Sequence, residues 1–240
     1  MIKVKNLSKS FGKKQVLKDL SFTVNDGEVY GLLGQNAAGK TTTLRILSTL
    51  LKPTSGQVTI EGFDVVQSPL DVRKVVGFLP EEAGLYDRLT PRETLQYYGR
   101  LHKLNDEDLA SRIDTLFGSL ELEEFSNIKC SKLSKGTKQK VSIARCLIHD
   151  PHILFLDEPT ANVDATSAYN IKRVALQRIK ENRTIILSSH DLHQVSRLCN
   201  RVGIINDGKL LVEGTVDELK SEYAGEDLEE IYINIIQNSK

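Results

Sequence analysis

Residues 34–42, GQNAAGKTT, lie between the apolar run VYGLL and the stretch TLRILSTLL. Gly34, Gly39, Lys40 and Thr41 satisfy the pattern G-x-x-x-x-G-K-[ST], here with a strand before it and a helix after it. That context narrows the fold sharply. A loop of this kind aims successive backbone N–H groups at phosphate oxygens from the positive end of a helix. Lys40 would add a point charge on the terminal phosphates, and the Thr41 hydroxyl can ligate Mg²⁺. Gln35, Asn36, Ala37, Ala38 and Thr42 complete the candidate nucleotide-binding loop. The plain alternative is a glycine-rich turn that only opens a helix. Ala37 stands where such loops usually carry glycine. A positive φ there would cost about 1–2 kcal/mol for its β-carbon, and a negative φ nothing.

Short apolar runs recur along the chain: FTV, VYGLL, QVTI, VVGFL, ILFL, TIILS and RVGII. Several are apolar on both faces, as strands buried within a sheet are, and helical stretches separate many of them. The alternation predicts an α/β fold, a mixed sheet flanked by helices. IINDGKLLVEG, with its Asp-Gly turn, predicts an antiparallel hairpin beside the parallel strands. From about residue 85 to 150 the pattern turns helical (PRETLQYYGRLHKL, DEDLASRIDTLF, KQKVSIARCLI), which reads as a helical subdomain inserted in an α/β core of residues 1–84 and 151–222. Residues 223–240 form a helical tail, in which Leu228, Ile231, Tyr232, Ile235 and Ile236 share one stripe. That stripe covers either its own domain or a partner.

HILFLDEP ends an apolar strand in two carboxylates, and such strand ends face the ligand crevice of open α/β sheets. Alternation along a strand would point Asp157 and Glu158 in different directions and give them different tasks. Asp157 is assigned to Mg²⁺, directly or through water, and Glu158 to polarising the attacking water as general base. Taken alone, an acidic pair at a strand end is as well explained by solvation or by capping the next helix. TIILSSHDL repeats the arrangement of HILFLDEP, with His190 at the end of another buried strand, within reach of a γ-phosphate if the two strands are neighbours.

The 240 residues carry 32 Lys plus Arg against 32 Asp plus Glu, so no long-range field draws the chain to nucleic acid or to an anionic membrane. A nucleic-acid partner is not expected. No stretch approaches the roughly 18 apolar residues of a membrane span, and MIKVKNLSKS lacks the apolar core of a signal peptide. Any membrane role is expected to come through a partner. Cys130, Cys146 and Cys199 form no C-x-x-C pair and read as buried thiols in a reducing cytoplasm.

Together these segments resemble the ATP-binding subunits of ABC transporters, over residues 1 to about 220. LSKGTKQK at 133–140 looks like the family's signature loop, TANVD at 160–164 its D-loop, His190 its switch histidine, and Phe11 the aromatic that stacks on adenine. The resemblance implies a P-loop NTPase core and a head-to-tail dimer that closes over two ATP molecules. Ser134 and Gly136 would then reach the γ-phosphate held by the second ATPase subunit, while as residues alone they need be no more than the cap of the following helix. It also implies Mg²⁺, a membrane-spanning permease partner, and a place at the cytoplasmic face of the membrane.

Two departures stand out. Glu81, followed by Glu82, replaces the family's usual glutamine and can still ligate Mg²⁺; Lys135 and Thr137 replace the commonest signature residues. LPEEAGLYDRLTPRETL and LSKGTKQKV are most similar to the subgroup that exports Na⁺, with antibiotic and lipid exporters sharing much of the pattern. The rival readings are a soluble ABC-type clamp and a nucleotide sensor that scarcely turns ATP over.

Overall fold

Alternation of apolar and polar residues builds the first two strands, β1 (Ile2–Phe11) and β2 (Lys14–Val24), which pair antiparallel. The computed structural model describes residues 1–82, 84–161, 163–223, 225 and 227–238. Next come β3 (Val29–Leu33), α1 (Lys40–Leu47), β4 (Ser55–Ile60), β5 (Phe63–Asp64), α2 (Pro69–Val75) and β6 (Val76–Leu79). The helical stretch holds α3 (Pro91–Leu101), α4 (Asp106–Leu120) and α5 (Lys135–Leu147). β7 (Ile153–Asp157), α6 (Ala165–Lys180), β8 (Thr184–Ser189), α7 (Leu192–Leu198), β9 (Arg201–Asn206), β10 (Lys209–Thr215), α8 (Val216–Tyr223) and α9 (Leu228–Asn238) complete the order.

Residues divide into two compact units, Met1–Arg73 with Asn182–Lys240, and Lys74–Glu181. In the first unit, β4 pairs with β1 and β5 with β4, giving an antiparallel sheet in the order β2-β1-β4-β5. A second run of strands has β3 at its centre. β3 lies parallel to both β8 and β9, and β10 closes the run antiparallel to β9. Every residue of β3 and β8 is buried, which is why both read as continuous apolar runs instead of alternating ones. The predicted hairpin is present: Asp207 (φ 46°) and Gly208 (φ 78°) form its two-residue turn, and positive φ at both positions matches the right-handed strand twist. α9 covers its own unit, packing on α7 and α8 with Leu228, Ile231 and Ile235 buried.

The second unit holds β6 and β7, parallel and in register from Val76 opposite Ile153 to Leu79 opposite Leu156. With them are helices α3 to α6, whose starts are well capped. Thr90 and Glu93 form a capping box with Pro91 opening α3, while Asn105 caps α4 and Asp164 caps α6. No described helix is long and apolar enough to cross a membrane.

Candidate active site

In the first unit, Leu33 at the end of β3 is the register partner of Ser189 at the end of β8. The strands are parallel, so Gly34 and His190 emerge side by side at their carboxyl edge, where ligands bind in open α/β sheets. The His190 side chain is exposed. Asp191 N–H donates to Ser189 Oγ at 3.0 Å and sets the turn that carries it.

Within the loop, Ala38 N–H donates to Gln35 O at 3.1 Å, so residues 35–38 form a β-turn. Ala37 takes its third position with φ 65°. The left-handed conformation is therefore occupied by a residue with a β-carbon, at a cost of about 1–2 kcal/mol. Gly39 (φ 115°) occupies the N-cap of α1 and has no side chain to satisfy the helix's first amides. The first turn of α1 holds no acidic residue, so the positive helix end meets no carboxylate of its own there. Lys40 is buried, and its Nζ donates to Gly34 O at 2.7 Å, bridging the two ends of the loop. This donor set of amides, an ammonium and the Thr41 hydroxyl suits a polyphosphate with its magnesium. Gly34 and Gly39 also serve packing. A β-carbon on Gly34 would overlap Ile205 O, and one on Gly39 would come within 2.6 Å of the Leu17 side chain.

Phe11 ends β1 with 50% of its surface exposed, and the Lys9 ammonium lies 5.0 Å from its ring centroid. A large aromatic at a strand end, half in water, is available for stacking on a flat ligand.

In the second unit, Asp157 is the last residue of β7 and is buried. Glu158, also buried, has left the strand: its φ is 47°, and its carbonyl accepts from Ala161 N–H at 3.0 Å. The two carboxylates are thus set apart by a left-handed turn and not by strand alternation as the sequence suggested. A non-glycine residue in that region carries strain of order 1 kcal/mol, which the surrounding structure must hold. Glu81 is exposed just beyond β6.

Ser134 caps α5: Thr137 N–H donates to its Oγ at 3.1 Å, and the two hydroxyls lie 2.8 Å apart. Gly136, in the first turn of α5, faces Asp164 and Ser167, and a β-carbon there would overlap both. Asp164 caps α6 by accepting from Ser167 N–H (2.9 Å) and Ser167 Oγ (2.8 Å), bonds that hold its carboxyl below the ordinary carboxylate range. Ser167 escaped the sequence reading. Its signal was the spacing in DATS, an acidic cap with a hydroxyl three residues on. Of the D-loop segment, Asn162 lies outside the described residues. All three cysteines are free, and burial pushes the Cys146 and Cys199 thiols up to about 12.

The sequence profile described as ABC transporter matches residues 17–161, from β2 through the D-E strand to the residues after it. The chain belongs to the ABC transporter family. Over 240 residues it is 43% identical to the ABC transporter ATP-binding protein NatA of Bacillus subtilis, covering 98% of this chain and 97% of that one. It is 35% identical to a Nod factor export ATP-binding protein I of Burkholderia lata, over 96% of this chain and 76% of that protein. Among solved structures it resembles the dimeric ATP-binding cassette MJ0796 in a post-hydrolysis state with ADP and Pi, with a TM-score of 0.82, 28% identity, and coverage of 90% and 98%. This ABC subunit is therefore an ATP-binding ATPase of a transporter, built on the α/β core with flanking helices that its sequence predicted.

Proposed function

We propose that this subunit powers an exporter by ATP-driven closure of two copies, docked to a membrane-spanning permease at the cytoplasmic face. The observation that carries the nucleotide reading is the Leu33–Ser189 register, which brings the phosphate loop and His190 out of neighbouring strand ends. Residues 34–42 cradle the phosphates through their amides, with Lys40 on the terminal oxygens, and Phe11 stacks on the adenine. Thr41, Asp157 and Glu81 hold Mg²⁺, which when bound offsets negative charge on the phosphates. Glu158 takes the proton of the attacking water, and His190 orients the γ-phosphate. Ser134 and Gly136 complete the pocket of the opposite copy, so that ATP joins the pair and its hydrolysis lets them part. The cargo is Na⁺ or a drug or lipid. The export direction draws support from the Nod factor export relative and from the similarity of LPEEAGLYDRLTPRETL and LSKGTKQKV to the Na⁺-exporting subgroup.

Two measurements test this reading. In a MgATP titration, Lys40→Ala is expected to lose most affinity, and a wild-type curve would remove the phosphate-loop assignment. Purified from native membranes, the subunit is expected to bring a permease with it. Recovery of full ATPase activity in a soluble form, with no membrane protein attached, would favour a clamp.

A further inference from the structure

The β9–β10 turn lies against the back of the phosphate loop. Gly208 N–H donates to Ala38 O at 3.0 Å, and Gly208 O accepts from Lys18 N–H of β2 at 2.8 Å. Asp207, the other turn residue, pairs with the Lys18 ammonium. The fit leaves no slack. A β-carbon on Gly208 would overlap Val16 O and come within 3.1 Å of Leu17 Cα, while one on Gly39 would lie 3.9 Å from Gly208 Cα. The turn is held between β2 and the loop by backbone on both sides.

We infer that Gly208 is a positioning residue for the phosphate loop: its amide fixes the Ala38–Gly39 peptide and so aims the loop's N–H groups. A trans peptide sets its N–H opposite its C=O, so anchoring Ala38 O on the hairpin turns Gly39 N–H away from it. The anchor also falls one residue after Ala37, whose φ of 65° is a strained conformation that persists only where neighbours over-determine it. With glycine at 37 the loop would hold this shape at little cost. With alanine it leans on the hairpin. The inference rests on the phosphate-loop reading.

Gly62 supplies the control. It ends the two-residue turn between β4 and β5 with φ 85°, close to the 78° of Gly208, yet a β-carbon there meets nothing within 4 Å. Gly62→Ala therefore carries the same backbone penalty without pressing on the loop. MgADP affinity is measured by calorimetry for the wild type, Gly62→Ala, Gly208→Ala, Gly208→Ala/Ala37→Gly, Ala37→Gly and Lys40→Ala. Gly208→Ala is expected to weaken binding by about tenfold or more, as for one lost hydrogen-bonded contact, and Gly62→Ala by less than about twofold. Adding Ala37→Gly should recover more affinity in the Gly208→Ala background than it adds to the wild type, because the relaxed loop no longer needs its anchor. Equal affinities for Gly208→Ala and Gly62→Ala overturn the inference. Wild-type affinity in Lys40→Ala would instead overturn the phosphate-loop reading beneath it. Should Gly208→Ala fail to fold, amide exchange of the wild type decides: saturating MgADP is expected to slow exchange at Gly208, and an unchanged rate sinks the proposal.

Discussion

Gly136 packs directly against Ser167, so the first turn of α5 and the start of α6 form one close-fitted piece of the second unit. The Ser167 hydroxyl is already committed to Asp164, and neither side chain is free to swing aside without breaking the α6 cap. Gly136→Ala should therefore lower stability by about 1–3 kcal/mol, as overpacking does, and lower ATPase activity with it. Adding Ser167→Gly clears part of the space and should restore part of the melting temperature. A Gly136→Ala protein that melts with the wild type would show that the contact is loose.

Glu158 sits in its left-handed turn through backbone geometry, which glutamine can share, so Glu158→Gln changes the charge and little else. Nucleotide affinity should survive, while turnover falls by about 10²–10⁴-fold, the usual worth of a general base. With ATP and Mg²⁺ the variant should elute as a dimer. Steady-state turnover near wild type would take Glu158 out of the mechanism.

His190 leaves β8 beside the strand end that launches the phosphate loop, but it is exposed and belongs to no described helix or strand. Removing it should spare the fold. His190→Ala is expected to melt within about 2 °C of the wild type, the shift of a surface change under 0.5 kcal/mol. It should bind MgADP normally and hydrolyse ATP about 10²-fold more slowly. A large loss of MgADP affinity would mean that the histidine holds the loop and not the reaction.

Local chemistry carried the parts that were legible in sequence. VYGLL, ILFL and TIILS read as buried strands because nothing in them alternates, and the Asp207–Gly208 turn declared its hairpin through two residues that tolerate positive φ. The phosphate loop declared itself by spacing. What stayed hidden depends on backbone angles or on partners distant in sequence. Ala37 could have had either sign of φ, and Glu158 looked like one more strand residue. Gly208 meets Ala38, and Gly136 meets Ser167, only once the chain has folded. No periodicity encodes such contacts.

The stacking of His102 on His149, rings 3.7 Å apart and within 7° of parallel, is a further contact of this kind and makes the second unit acid-sensitive. His149 Nε2 lies 3.1 Å from Val76 O, and its Nδ1 is buried without a hydrogen-bond partner. Burial first, and the neighbouring His102 ring second, push His149 from its usual 6.5 down to about 4. Burial lowers His102 as well. The unfolded chain therefore binds protons that the folded one refuses between about pH 6.5 and 4, and stability falls as pH drops through that window. Above it the histidine is neutral in both states and contributes no slope. The full loss from His149 is about 3 kcal/mol, with roughly 2 of it reached by pH 5. Urea unfolding at pH 7.5 and pH 5 measures it. His149→Gln, which cannot titrate and relieves His102 of a charged neighbour, should show a smaller drop between the two pH values by about that amount. Equal drops in the two proteins would place the acid sensitivity elsewhere.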